Sequence, residues 1–522
     1  MFKKILLSAA CGILPATAHA TWRSATSTHF VIYTEGSEAS AKELAVKLEK
    51  FEFVMRTVAG VKQAGSPIRT KVYMLPNSEA VQATMPFGGS PGVAGYFDGD
   101  MRGPYAVMTR TDTGDSYGLA AQTVLFHELS HQFMFRFFPA AYPTWYVEGF
   151  ADFYGTMTID SNDRVEIGRP LENRYLAFTG NNWMPIAKLL SARNYGDVGD
   201  VSMLYSEGWL LVHYLSTTDK RSGQLAKYLS AINAGTSFED AARLAFGDLG
   251  KLNAELFDYS DHYRQQIMVL PFKQIDPGKV ELATLTPAQQ ALIGYDIRLD
   301  SGVPAAEVAG FADQVAAVAK RFPDNPYALG ILTDAQRLAG RDADALATVA
   351  HWIQIAPNDG LALMHKAAIE MAALRAAKET DPEKWKALRR LLGQANTLTP
   401  NDPRILRTYY DVYAAQGGLP PESAQGVLVQ AFDLLPEVED LRLEVALDFE
   451  RRGEFQDAIT TIKPIAYTLR ADADLSPAQK ARRDKEKARY RMAGQPAVGG
   501  DTPRQVLERL ERELAAAKPK PA

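Results

Sequence analysis

The sequence predicts an α+β domain followed by an all-α helical solenoid, and three observations carry that expectation. Residues 29 to 110 mix short β-type runs with an amphipathic helix. After them, apolar residues recur mainly at helical spacing. In the C-terminal half, prolines return at near-regular intervals between helical stretches, Pro323 and Pro357 lying 34 residues apart. A chain of 522 residues that is 46% hydrophobic and 23% charged can bury two or more cores, so disorder is not its default.

The first twenty residues, "MFKKILLSAACGILPATAHA", place Lys3 and Lys4 before a short apolar segment that closes on Ala18-His19-Ala20. This is the pattern of a secretory signal peptide cleaved after Ala20, which puts the mature chain in the bacterial periplasm or outside the cell. Cys11 is the only cysteine and lies inside that segment, so the processed protein folds without disulfides. Acylation of Cys11 as a lipoprotein is the alternative; Ser8, three residues before it, departs from the leucine usual there. No later run approaches the ~20 apolar residues of a transmembrane helix. Loss of Lys3 and Lys4 takes the formal charge from −5 to −7, which argues against nucleic acid as a partner.

Taken in order, "HFVIYT" reads as a strand, and "SAKELAVKLEKFEFVMRTVAG" as a helix beginning near Ser40. "IRTKVYML" and "YAVMTR" read as further strands. Between those two, "MPFGGSPGVAGYFDGDMRGPY" is too rich in Gly and Pro for helix and suits a hairpin, a flap over a site, or a plain surface loop. From Tyr117 helices dominate, among them "VSMLYSEGWLLVHYLSTT", "SGQLAKYLSAINAG" and "SFEDAARLAFG". The first domain, residues 21–275, ends where "LPFKQIDPGK" breaks the pattern, and 276–300 reads as a connector.

Residues 301–475 form the solenoid. Pro400 follows Pro357 by 43 residues, leaving room for an insertion around "RAAKETDPE", and Pro436 follows by 36 more. Small residues Ala335, Ala339, Gly340 and Ala345 stand where two antiparallel helices need close approach. The period and pattern resemble tetratricopeptide repeats, a generic helical bundle being the alternative. Residues 476–522 read as charged C-terminal helices: "SPAQKARRDKEKARYRMAG", then a helix with Asp501 as N-cap, Pro503 in its first turn, and Leu507, Leu510 and Leu514 on one face. That face suits capping of the solenoid end or, alternatively, a partner.

The chemistry concentrates in "VLFHELSHQFMFRFFPAAYPTWYVEGFAD", residues 124–152. His127-Glu128-Leu129-Ser130-His131 puts two imidazoles ~40° apart around a helix, so both reach one metal ion, with Glu128 on the adjoining arc where it can hold a water. Catalytic zinc takes three protein ligands and keeps one position open. Glu148, 17 residues after His131 in a second apolar helical stretch, is the candidate third ligand, since a buried carboxylate there needs a neutralising partner. Asp152 lies one turn further and can accept from the distal nitrogen of a ligating histidine. Tyr205 and His213, on one later helix, are candidate donors to an oxyanion, with satisfied core residues as the alternative. His29, His262, His351 and His365 show no ligand spacing.

This segment resembles the gluzincin metallopeptidases of the thermolysin type, which carry HExxH and a downstream Glu-x-x-x-Asp. "YPTWYVEGFADF" is similar in particular to the peptidase MA-like group, with its Pro-x-Trp-x-x-Glu-Gly-x-Ala segment. The likeness is tight over residues 124–155 and looser from "HFVIYT" to about residue 270. It implies a zincin-like catalytic domain, one Zn2+ ion held by His127, His131 and Glu148, Glu128 as general base, and Asp152 as the partner of a ligand. No Gly-x-Met-Glu-Asn segment of the zinc aminopeptidases is present, which favours an endopeptidase.

The expectation is therefore a zinc peptidase acting on protein or peptide substrates, with a repeat domain that binds substrate or a protein partner. The competing expectation is a non-catalytic binding or scaffold protein of the cell envelope in which a zinc domain is structural. Glu128 speaks against it, being neither a ligand nor of evident structural use.

Overall fold

The computed structural model describes residues 21–63, 65–85, 95–110, 121–171, 174, 177–178, 183–192, 197–260, 266–466 and 502–517. The signal segment 1–20, residues 86–94 of the Gly-rich stretch, Tyr117, His262, the charged stretch 476–494 and Asp501 lie outside the described residues. Among the described residues no helix is long and apolar enough to cross a membrane.

The first half is built on a six-stranded sheet. Its elements run β1 (Arg23–Thr26), β2 (Phe30–Thr34), α1 (Glu38–Val58), β3 (Thr70–Leu75), α2 (Ser78–Thr84), β4 (Gly95–Asp100) and β5 (Gly103–Thr109). Helix α1 starts two residues before the expected Ser40 because Ser37 caps it, accepting from the Ser40 N–H. The described end of the Gly-rich stretch is a hairpin, β4 against β5. Strands β2, β3 and β5 pair in parallel, so their side chains alternate between two buried faces. Val72, Met74, Ala106 and Met108 point into the main core with α1, while Tyr73, Leu75, Tyr105 and Val107 enter a second core on the other face.

On the α1 side lie α3 (Ala121–Phe137) and α4 (Thr144–Gly155), followed by β6 (Thr158–Ile159), β7 (Arg164–Ile167), α5 (Ile186–Ser191) and α6 (Val201–Thr217). Phe126 of α3 stacks on Phe51 of α1 with ring centroids 4.3 Å apart, which seats α3 on the sheet through α1. Then come α7 (Gln224–Asn233), α8 (Phe238–Phe246), α9 (Leu249–Ser260) and β8 (Met268–Pro271), the last closing a small sheet in the order β6-β7-β8.

The stretch 276–300, read from sequence as a connector, is structured. Its β9 (Glu281–Thr284) pairs antiparallel with β1 as the sheet's edge, and α10 (Pro287–Ser301) lays Ile293 and Ile297 on the second face of that sheet. A four-residue strand that exists only through a partner far away in sequence leaves little periodic signal.

The helical half continues with α11 (Val308–Ala319), α12 (Pro326–Leu338), α13 (Asp342–Ile355), α14 (Gly360–Ala376), α15 (Pro382–Leu398), α16 (Pro403–Gln416), α17 (Glu422–Leu434), α18 (Glu439–Arg451), α19 (Phe455–Ala466) and α20 (Pro503–Ala517). From α12 to α19 they form four successive hairpins stacked as a solenoid. Pro323, Pro357, Pro400 and Pro436 all fall in the turns that precede a hairpin. Asn325, Asp359, Asp381 and Asp402 cap the following helices through their side chains, with proline in the first turn of three of them. Leu507 and Leu510 of α20 are buried against α19, with Leu514 packed beside them.

Candidate metal centre

Helix α3 carries His127, Glu128 and His131; α4 carries Glu148 and Asp152. Pro143 sets the start of α4, and Gly155 at its end packs closely on α3, where an added Cβ would sit a tight 3.2 Å from the His127 backbone. Behind α4, Gly149 lies against Gly208 of α6; an added Cβ would meet the Gly208 carbonyl oxygen at 2.4 Å. These contacts fix α4 between α3 and α6 and hold Glu148, buried, against the histidines.

Three ligand atoms converge. His127 Nε2 is 3.0 Å from His131 Nε2 and 3.3 Å from Glu148 Oε2, and His131 Nε2 is 3.5 Å from the same oxygen. Four-coordinate zinc with bonds of ~2.0–2.1 Å spaces its ligand atoms ~3.3–3.4 Å apart, so the triangle has the size of one face of such a tetrahedron. Among the described residues it is the one cluster of this kind.

The surrounding groups orient one ligand closely. His127 Nδ1 donates to Asp152 Oδ1 at 2.8 Å, which turns Nε2 toward the triangle. Arg174 in turn donates from Nε to Asp152 Oδ2 at 2.8 Å and lies over the Tyr205 ring at 4.6 Å. The Tyr205 ring is 6.5 Å from that of His127. His131 Nδ1 is buried with no hydrogen-bond partner among the described residues.

The electrostatics favour a positive charge. Burial opposes a charged His127, yet its hydrogen bonds to Asp152 and Glu148 and the field of Asp152 and Glu128 outweigh burial and push it up to about 10. Burial likewise works against an ionised Glu148, but His131 and His127 hold its carboxyl well below the usual range. For Asp152 the opposing pull comes from Arg174 first and His127 next. The donor set, two imidazoles and a carboxylate, is one that suits zinc.

His127, His131, Glu148, Asp152 and Tyr205 are thus brought together, and Glu128 stands part-buried on the same helix. His213 is not with them. It is buried in the core, donating from Nε2 to the Gly168 carbonyl at 2.9 Å with Nδ1 against the Tyr259 hydroxyl at 2.7 Å, and burial pushes it down to about 4. Both nitrogens are occupied, so it is a structural residue. Arg174 was not foreseeable: a single arginine with no fixed spacing to the motif carries no sequence signal.

Beside the triad lies a cavity of about 480 Å³, within the range of ligand pockets. His131, Glu148, Gln132 and Thr144 line one side, and α12, α14, α16 and the start of α18 line the other. The halves are tied on both flanks of it. Glu437, before α18, accepts from Gln132 Nε2 and Arg136 Nη2 of α3, both at 3.2 Å. On the opposite flank, Asp300 of α10 accepts from Lys71 Nζ at 2.6 Å and the Tyr73 hydroxyl at 2.9 Å, and Arg102 pairs with Asp296 and Asp300.

No family model matches the chain, and no curated protein matches it. Among solved structures, it is similar to a thermophilic TPR protein of Thermus thermophilus, at 20% identity over 38% of this chain and 92% of that one, with a TM-score of 0.28. A MamA double mutant gives 18% identity, 35% and 92% coverage, and a TM-score of 0.24. The hairpin architecture rests on the helix packing itself, to which matches at these scores add nothing.

Proposed function

We propose that the chain is an exported zinc-dependent peptidase of the gluzincin kind, whose zincin-like first half cleaves peptide bonds and whose helical half holds the substrate or a partner protein. The observation that carries this reading is the ligand triangle of His127, His131 and Glu148, open to a cavity of peptide-binding size. Bound zinc would supply Lewis acidity and a water that ionises near neutral pH. Asp152 holds the His127 ring through Nδ1, and Arg174 holds Asp152. Glu128 accepts a proton from the attacking water and returns it to the leaving amine, a role open to it because it is not one of the three ligands. Tyr205 is the candidate donor to the oxyanion.

A second reading, a non-catalytic scaffold with structural zinc, is favoured by the extent of the hairpin array, which occupies residues 326–466. The test is zinc content and casein or peptide hydrolysis of the wild type, Glu128→Gln and Glu148→Ala. The peptidase reading expects Glu128→Gln to keep zinc and lose hydrolysis by ~10²–10⁴-fold. It expects Glu148→Ala to lose both. Hydrolysis that survives Glu128→Gln overturns the mechanism, and a wild type that binds zinc yet hydrolyses nothing establishes the scaffold.

A further inference from the structure

The helical wall of the cavity contains an acid to which the described residues give no hydrogen bond and no ion pair. Arg404, Arg407, Thr408 and Asp411 share one face of α16 and line the cavity. Asp411 is 4% exposed, no hydrogen bond or ion pair reaches it from any described residue, and its Oδ1 is buried without a partner. A buried carboxylate in this condition is costly unless a ligand compensates it. Arg407 and Arg375 act on it through their field alone. Arg407 pairs with Glu444 at 2.8 Å, and Arg404 with Asp402 at 2.7 Å. Asp98 and Asp440, which also line the cavity, make no ion pair among the described residues, while Arg102 there pairs with Asp296 and Asp300 and Arg337 lies against His365. Met364, Ala368 and Met371 of α14 provide an apolar strip along the same wall.

We propose that Asp411 is the recognition residue for a basic side chain, lysine or arginine, of a polypeptide that enters this cavity. The aliphatic stem lies along Met364 and Met371, and the charged head pairs with the Asp411 carboxylate. That the same polypeptide is cleaved at the triad rests on the peptidase reading; the recognition itself does not.

The test uses full-length, zinc-loaded protein carrying Glu128→Gln, so that binding is read without turnover. Fluorescent peptides with lysine or arginine at one position are compared by anisotropy with otherwise identical peptides carrying norleucine or citrulline. The expectation is about tenfold tighter binding of the basic peptides, with the preference collapsing toward unity when Asp411→Asn is added and surviving with Asp411→Glu. A melting temperature for Asp411→Asn no lower than that of its parent shows that its fold is intact. Absence of any basic preference, or a preference equal in Asp411→Asn and Asp411→Glu, overturns the proposal. A wild type that hydrolyses nothing while the preference holds removes the peptidase reading alone; loss of the preference with hydrolysis intact removes this site alone.

Discussion

The two walls of the cavity handle charge in opposite ways. On the α3–α4 wall the polar groups form a closed series: His127 to Asp152, Asp152 to Arg174, Arg174 over Tyr205. What remains facing inward is the triangle of ligand atoms, a demand for one cation at one point. On the α16 wall the arginines are matched with acids of the solenoid, and Asp411 is left over. The first wall is local in sequence apart from Arg174 and Tyr205 and has little latitude, because a point charge needs fixed distances. The second is assembled from separate hairpins, whose first helices contribute two to four side chains each, as suits a surface that reads a flexible ligand.

Three substitutions would break or sharpen that contrast. The largest effect should come from Asp152→Asn, which keeps the size of the side chain but leaves Arg174 without its counter-charge. Zinc affinity should fall by ~10–100-fold, read by competition with a chromogenic chelator. An unchanged affinity would mean that the closed series is incidental to the ligands.

Next is Asp411→Asn, followed by thermal melts across pH. Burial first, then Glu444, push Asp411 up to about 7 against the pull of Arg407 and Arg375. The folded chain therefore holds a proton that the unfolded chain releases above ~3.9, so Asp411 costs stability progressively as pH rises from there to about 7. The asparagine variant should lack that part of the slope and melt higher at pH 7. Identical slopes in the two proteins would show Asp411 to be well solvated.

The smallest effect belongs to the tie between the walls. Glu437→Gln weakens its bonds with Gln132 and Arg136 and should cost about 1 kcal/mol in urea unfolding. Zinc content should stay as it was. A loss of zinc would show that the solenoid, as well as α4, positions α3.

The α3–α4 wall was legible because its information is short-range. HExxH places two imidazoles on one helix face by helical period alone, and the turn at Pro139 and Pro143 returns the chain so that Glu148 and Asp152 meet them. The solenoid's rhythm was legible because every hairpin restarts at a proline-marked turn, three of the four with a side-chain cap. Three features were not. Arg174 reaches Asp152 through a tertiary contact with no spacing rule. His213 has the residue type of a catalytic donor, but its neighbours Gly168 and Tyr259 decide otherwise. Asp411 reads as one more acid on an amphipathic helix until the docking of two halves encloses it.

The pairing of β1 with β9 orders events during synthesis. The outer edge of Arg23–Thr26 is among the first parts of the sheet to leave the ribosome, yet the strand that covers it, Glu281–Thr284, comes after both α3 and α4. An uncovered edge is a template for pairing with other chains. The first half therefore cannot complete its sheet as it emerges, but waits for the chain that enters the solenoid. That makes residues 21–284 the shortest stretch that holds all six strands of the sheet, and a cut at 275 leaves β1 as its edge.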